Sequence, residues 1–214
     1  MDAKTISNLV QTGDLLLVCG RGFTSNVVRY FTRSHWSHIG IVVRLRGIPE
    51  PLVLESTTLS ASNDLFKGVP VRGVGLVPLA QKVEQYDGEV ALRRRHGEPL
   101  SLSRQKMVER LALTLCHRPY KNFVLCHLRA QFYRRHRKDY SSMFCSELVA
   151  EIYRRLGWLA ADACPKNVVP GHFGKIDFAI RSGTLAQPLR LVSASGRFQG
   201  GEMKKKNFLA PILY

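Results

Sequence analysis

Cys145 stands in the run Phe144-Cys145-Ser146-Glu147-Leu148-Val149, with apolar residues at helical spacing after it. The pattern places a thiol in the first turn of an amphipathic helix. Unpaired N–H groups and roughly half a unit of positive charge there favour the thiolate, the form that acts as a nucleophile. His38 stands in Ser34-His35-Trp36-Ser37-His38-Ile39-Gly40-Ile41-Val42-Val43, where an apolar strand begins. A thiol and an imidazole far apart in sequence but joined by the fold are the minimum for nucleophilic thiol catalysis. Such a site also needs a group to orient the base. Glu55 is the candidate, 17 positions after His38 on the neighbouring predicted strand, where it would accept the second imidazole N–H and fix the tautomer. Asn26 or another polar group is the alternative. The backbone N–H of Cys145 is the expected oxyanion donor, and Glu147 is read as a first-turn partner of the helix dipole rather than an acid catalyst.

Each of these residues has a plainer reading. Free cysteines are among the most buried residue types, and a histidine at a strand start is commonly a satisfied core residue. The pairing of Cys145 with His38 is what favours catalysis. His35-x-x-His38, Cys116-His117 and Cys126-His127 invite a zinc reading, but adjacent residues on a helix point apart and the spacing matches no common closed site. No metal and no cofactor are therefore expected.

These groups need elements to hold them. Residues 15–19 form an apolar run suited to a buried strand. Gly20 and Gly22 break it, and Thr24 or Ser25 is placed to cap a helix through Arg33 with Val27, Val28 and Phe31 on one side. Residues 36–45 read as the next strand, with Ile39, Ile41 and Val43 on one face and His38, Gly40 and Val42 on the other. Gly40 beside His38 is expected to leave room for another element to reach the imidazole. Residues 51–55 read as a third strand, with Val53 and Glu55 on one face, and residues 73–78 and 89–93 as further short strands. A helix is expected over 103–116, capped by Ser101 or Ser103, with Met107, Leu111 and Leu115 as its apolar stripe. Residues 120–137 read as partly helical and strongly basic. The helix carrying Cys145 is expected over 142–156, ended by Gly157. The fold class is α+β, a small and mainly antiparallel sheet packed against helices. Residues 1–12 read as a lead-in, 13–192 as a single domain and 193–214 as a basic tail.

Of the 214 residues, 45% are apolar, enough for one domain with a proper core, and no run of about 18 apolar residues is present. Five irregularly spaced cysteines argue for free thiols in a reducing compartment. The first residues lack the basic start and apolar stretch of a secretory signal, so a cytoplasmic protein is expected, or an effector delivered by another route. The net charge of +16, with basic clusters at Arg93-Arg94-Arg95, Arg129–Lys138 and Lys204-Lys205-Lys206, suits an anionic membrane or polymer surface. Phe132 and Tyr133 among the basic residues would also suit single-stranded nucleic acid. A helix with aromatic core residues and an outer charged face is favoured over that.

Taken together, Gly13-Asp14-Leu15-Leu16-Leu17, Ser34 to Val42, Glu55-Ser56 and Phe144 to Val149 resemble the circularly permuted, YiiX-like branch of the NlpC-like, papain-like superfamily. His38 precedes Cys145 by 107 positions, the reverse of the ordinary papain-like order, as a permutation requires. The likeness spans about residues 13–173. It implies a papain-like α+β core with a Cys-His-Glu site, Cys145 as nucleophile, His38 as base and Glu55 as orienting acid. It also implies hydrolase or acyltransferase chemistry on amides or esters. Tyr120 matches a tyrosine that recurs before the cysteine helix, and Val169-Pro170-Gly171-His172-Phe173 resembles a closing segment. His35, Trp36 and Tyr120 are candidates for the substrate cleft. The expected substrate is a peptide or cell-wall stem, or a lipid. The competing class is a catalytically silent module that binds anionic membrane or nucleic acid through its basic surface.

Overall fold

Leu15-Leu16-Leu17-Val18-Cys19 is apolar at every position, and a strand can hide such a run only if both faces of its sheet are covered. The computed structural model, which describes residues 3–58, 61–119 and 144–191, has that arrangement. In chain order its elements are α1 (Ala3–Leu9), β1 (Leu15–Gly20), α2 (Phe23–Thr32), β2 (His38–Val43), β3 (Leu52–Thr57), β4 (Gly73–Pro78), α3 (Leu79–Gln85), β5 (Gly88–Arg93), β6 (Arg95–His96), α4 (Leu102–Leu115), α5 (Cys145–Arg155), β7 (Thr184–Leu185) and β8 (Leu189–Leu191). The fold is α+β. Six strands in the order β4-β3-β2-β1-β5-β8 pair antiparallel throughout, and β6 and β7 form a separate two-stranded ribbon.

Strand alternation sorts the core into two halves. Leu15, Leu17, Ile39, Ile41, Val43, Leu52, Leu54, Val74 and Leu76 face α4, α5 and the loops after α5. Leu16, Val18, Val42, Val53, Val77, Val90 and Leu92 face α1 and α3. Residues 1–12, read as a lead-in, contain α1, whose Ile6 together with Val10 is buried in the second half. The segment thus shares the core of the strands that follow it.

α5 lies across β2 and β3. Its Leu148, Val149, Ile152 and Tyr153 are completely buried, each stabilising by about 1.5–3 kcal/mol relative to an exposed side chain. Tyr153 also donates its hydroxyl to Gly13 O at 2.7 Å and meets the ring of Trp158 edge to face. Gly13, at φ +103°, could not carry a side chain there: a Cβ would sit 2.5 Å from the Trp158 ring. Gly157, also at positive φ, ends the helix as expected.

Several expectations are corrected. α2 begins at Phe23 with Gly22 as its N-cap and no side-chain cap bond, so neither Thr24 nor Ser25 caps it. Its apolar side is not a core face, because Val27 and Val28 are half-buried and Phe31 is 61% exposed. In α4 the buried stripe is Val108, Ala112 and Leu115, one residue round from the predicted Met107 and Leu111, which are half-buried. Ser101 is its cap, accepting from the Arg104 N–H at 3.4 Å. α3, β6, β7 and β8 lie where the sequence reading places no element.

The Arg93-Arg94-Arg95 cluster is not a basic surface. Arg93 is fully buried, donating to the carbonyls of Ala186 and Phe173, and buried Arg95 donates to those of Glu98 and Ser182. Arg95 also stacks over the Trp158 ring, 4.0 Å from its centroid. The basic stretches at 129–138 and 204–206, the tail 193–214, Tyr120 and Cys126 lie outside the described residues. Among the described residues, no helix is long and apolar enough to cross a membrane.

Candidate active site

β2 and β3 pair so that Gly40 lies opposite Glu55. His38, two residues before Gly40, projects from the same face, which makes His38 and Glu55 diagonal neighbours. Imidazole Nε2 and carboxylate Oε2 are 2.7 Å apart. The Cys145 thiol lies close enough to the imidazole to act on its affinity for a proton. With Nε2 engaged by Glu55, Nδ1 is the ring nitrogen left for the sulfur. Three residues from β2, β3 and the start of α5 are therefore joined in one chain of contacts, in the order Cys145, His38, Glu55.

Gly40 leaves room for another element to reach the imidazole, as its position suggests, and that element is β3. A Cβ there would lie 2.5 Å from Val53 Cγ1 and 3.5 Å from Glu55 Cβ. The glycine lets the two strands close with His38 against Glu55.

Cys145 is the first residue of α5, after Phe144 in an extended conformation. Leu148 N–H donates to Phe144 O at 3.0 Å, closing the first turn, and Phe144 N–H donates to Glu147 Oε2 at 3.4 Å. Buried Glu147 thus acts at the helix start, as expected. The Cys145 N–H is at a position with no intrahelical acceptor. Ser146 donates to Val168 O at 2.6 Å, tying the first turn to the segment after the helix.

Sequence reasoning missed a fourth group, Lys82 of α3. Its ammonium is 3% exposed and lies 2.7 Å from Glu55 Oε1, while Glu55 is 1% exposed. It also lies 5.2 Å from the centroid of the Tyr86 ring. The available signal was spacing: Lys82 falls three residues after Leu79 and one before Val83, both buried, so it occupies the inward face of the helix.

Burial works against ionisation of Glu55, but the Lys82 ammonium and the His38 imidazole outweigh it and hold the carboxyl well below the usual range. Burial also opposes a charge on His38. The neighbouring Cys145 and Glu55 outweigh this and raise His38 to about 9. Burial, with Glu55 nearby, pushes the Tyr86 phenol upward, so it stays neutral.

A cleft of about 260 Å³ opens over His38, lined by Ser25, Val28, Ser37, Lys82 and Tyr86. A tighter hollow of about 70 Å³ flanks Cys145, between Val28, Ser37, Phe144, Lys166 and Val169. Val28 and Ser37 border both, so α2 forms the wall facing the thiol and imidazole. His35 and Trp36 lie elsewhere. Trp36 packs into the core, His35 Nε2 meets Glu89 Oε2 at 3.0 Å, and both border a separate hollow of about 340 Å³ with Arg33, His172 and Lys175. Asn26 is exposed on α2, and His38 bonds Glu55 instead. His117 meets Asp64 at 3.1 Å. Among the described residues, no group of three or more His, Cys, Asp or Glu side chains is placed to hold a metal ion.

No protein-family model matches the chain, and no curated protein matches it. Among solved structures it is similar to the metalloprotein yiiX from Escherichia coli O157:H7 (DUF1105). The identity is 20%, over 86% of this chain and 97% of that one, with a TM-score of 0.48.

Proposed function

We propose that the protein is a cysteine hydrolase or acyltransferase acting on an amide or ester, built on a circularly permuted papain-like core. The observation that carries this reading is a single imidazole that is hydrogen-bonded to a buried carboxylate 2.7 Å away and feels the thiol at a helix start. In the proposed cycle, His38 takes the Cys145 proton and Sγ attacks the substrate carbonyl carbon. The resulting oxyanion is stabilised by the Cys145 N–H, at the positive end of α5. His38 returns the proton to the departing amine or alcohol, leaving a thioester on Cys145. Water, or another hydroxyl or amine acceptor, then gives up a proton to His38 and attacks the thioester, and Cys145 departs as thiolate. Glu55 orients the ring and stabilises the imidazolium in both halves. A peptide or cell-wall stem, or a lipid, is the substrate class this chemistry serves.

The test needs no substrate. Alkylation of the cysteines by iodoacetamide, mapped by mass spectrometry against pH, should label Cys145 well below about pH 8, where an ordinary thiol is largely protonated. His38→Ala should slow that labelling. If Cys145 labels no faster than Cys19 or Cys164 and is indifferent to His38→Ala, the reading fails. A module that binds anionic surfaces without turnover then takes its place.

A further inference from the structure

We propose that Lys82 is a positioning residue of this site, its buried ammonium fixing the Glu55 carboxylate and, through it, the His38 imidazole. The inference rests on the reading of Cys145 as a His38-assisted nucleophile.

Glu55 uses its two oxygens in different directions. Oε2 meets His38 and Oε1 meets Lys82, each at 2.7 Å. The terminal torsion of a glutamate is broad and costs little to rotate. A carboxylate held at one oxygen only could therefore swing, and the imidazole with it. With Lys82 on the other oxygen, the carboxylate plane is set from α3 while the ring it serves stands on β2. Leu79 and Val83, on the same side of α3, are core residues, and Tyr86, just after the helix, lies beneath the ammonium.

Stability alone does not account for a lysine here. Burying an ammonium costs several kcal/mol, and apolar side chains of similar volume commonly serve a core as well or better than a buried ion pair. The other buried residues of α3, Leu79 and Val83, are apolar, so a methionine would suit the packing. What a methionine would lack is the charge. The groups facing Glu55 and His38 are Lys82 from α3, Cys145 from α5 and the Tyr86 hydroxyl, with Cys19 and Asp87 acting on Tyr86. Lys82 is the cation among them that does not take part in proton transfer. It keeps Glu55 ionised whether or not His38 carries a proton, so that the carboxylate does not draw the proton off the ring.

Lys82→Met decides the matter, with the iodoacetamide pH profile of Cys145 as readout and thermal denaturation as a check that the variant is folded. The expected result is a profile displaced to higher pH by about one unit, which at about pH 6 reads as roughly tenfold slower labelling. Lys82→Arg, which keeps a cation, should recover part of the loss. If Lys82→Met does not fold, Lys82→Gln, which keeps a donor without the charge, is measured instead, with the same displacement expected. A variant that loses thermal stability but keeps the wild-type pH profile would overturn the proposal, since that is what a purely structural lysine does. If wild-type Cys145 responds to His38→Ala but not to loss of Lys82, only this inference falls. If it responds to neither, the reading of the site falls with it.

Discussion

Gly40→Ala puts the closeness of β2 and β3 to a quantitative test. The added Cβ would sit 2.5 Å from Val53 Cγ1, 3.4 Å from Leu54 O and 3.5 Å from Glu55 Cβ. The first contact is impossible without movement, and Val53 is β-branched, fully buried and confined to one preferred rotamer. Overpacking of this kind costs about 1–3 kcal/mol. In a chain of this size that lowers the melting temperature by about 2–4 °C per kcal/mol. Val53→Ala alone should also destabilise, by leaving a cavity. The double variant should be better than the sum of the two, because the new methyl enters the space that Cγ1 vacated. A favourable coupling of about 0.5–3 kcal/mol is expected from such contacting pairs. Urea denaturation of the four proteins measures it. Because the strand shift begins two residues from both His38 and Glu55, Cys145 alkylation should slow in Gly40→Ala and recover in the double variant. Additive stabilities would refute the claim that Gly40 exists to admit Val53.

The other two predictions concern charge. His38 is raised from its ordinary value to about 9, so its protonation contributes stability that is fully present below about pH 6.5 and is lost as pH rises through about 9. Wild-type stability in urea should therefore fall across that window by more than that of His38→Gln. The variant is the reference because half-buried Cys116, pushed up to about 12, weakens the fold in the same direction at still higher pH; equal slopes would contradict the assignment. Arg93 holds the carbonyls of Phe173 and Ala186 rather than a carboxylate. Arg93→Leu should thus open residues 174–188 to limited proteolysis, to the same degree in low and in high salt, and a salt-dependent effect would point to an ion pair instead.

The cysteine, the histidine and the glutamate were legible because each announces itself locally. Phe144-Cys145-Ser146-Glu147 reads as a helix start, and alternation in the strands puts His38 and Glu55 on faces that pairing brings together. Lys82 was not legible because α3 is seven residues long, and a lysine in a short polar-looking stretch carries no mark of burial. Its partner is 27 positions away, and only the packing of α3 on the sheet joins them. Arg93 and Arg95 misled for the opposite reason. Three consecutive arginines read as a surface, yet the strand sends two of them to the inward face, where a segment some 80 to 93 positions later supplies carbonyls. The Val27, Val28 and Phe31 side of α2 also misled, since helical spacing reports a stripe without reporting what covers it.

The order of strands has a consequence for how the site comes into being during synthesis. β1 to β4 follow one another as neighbours, and after α3 the chain returns as β5 to pair with β1. Chains emerge from the ribosome amino end first, and contacts near in sequence form soonest. His38, Glu55 and Lys82 all lie within the first 93 residues, on strands and a helix that can find each other before Cys145 has been made. The imidazole and its supports thus form a waiting socket, and the thiol is delivered to it as α5 docks across β2 and β3. A growing chain does not bring the thiol to the imidazole until α5 arrives, which separates the growth of the sheet from the completion of the site.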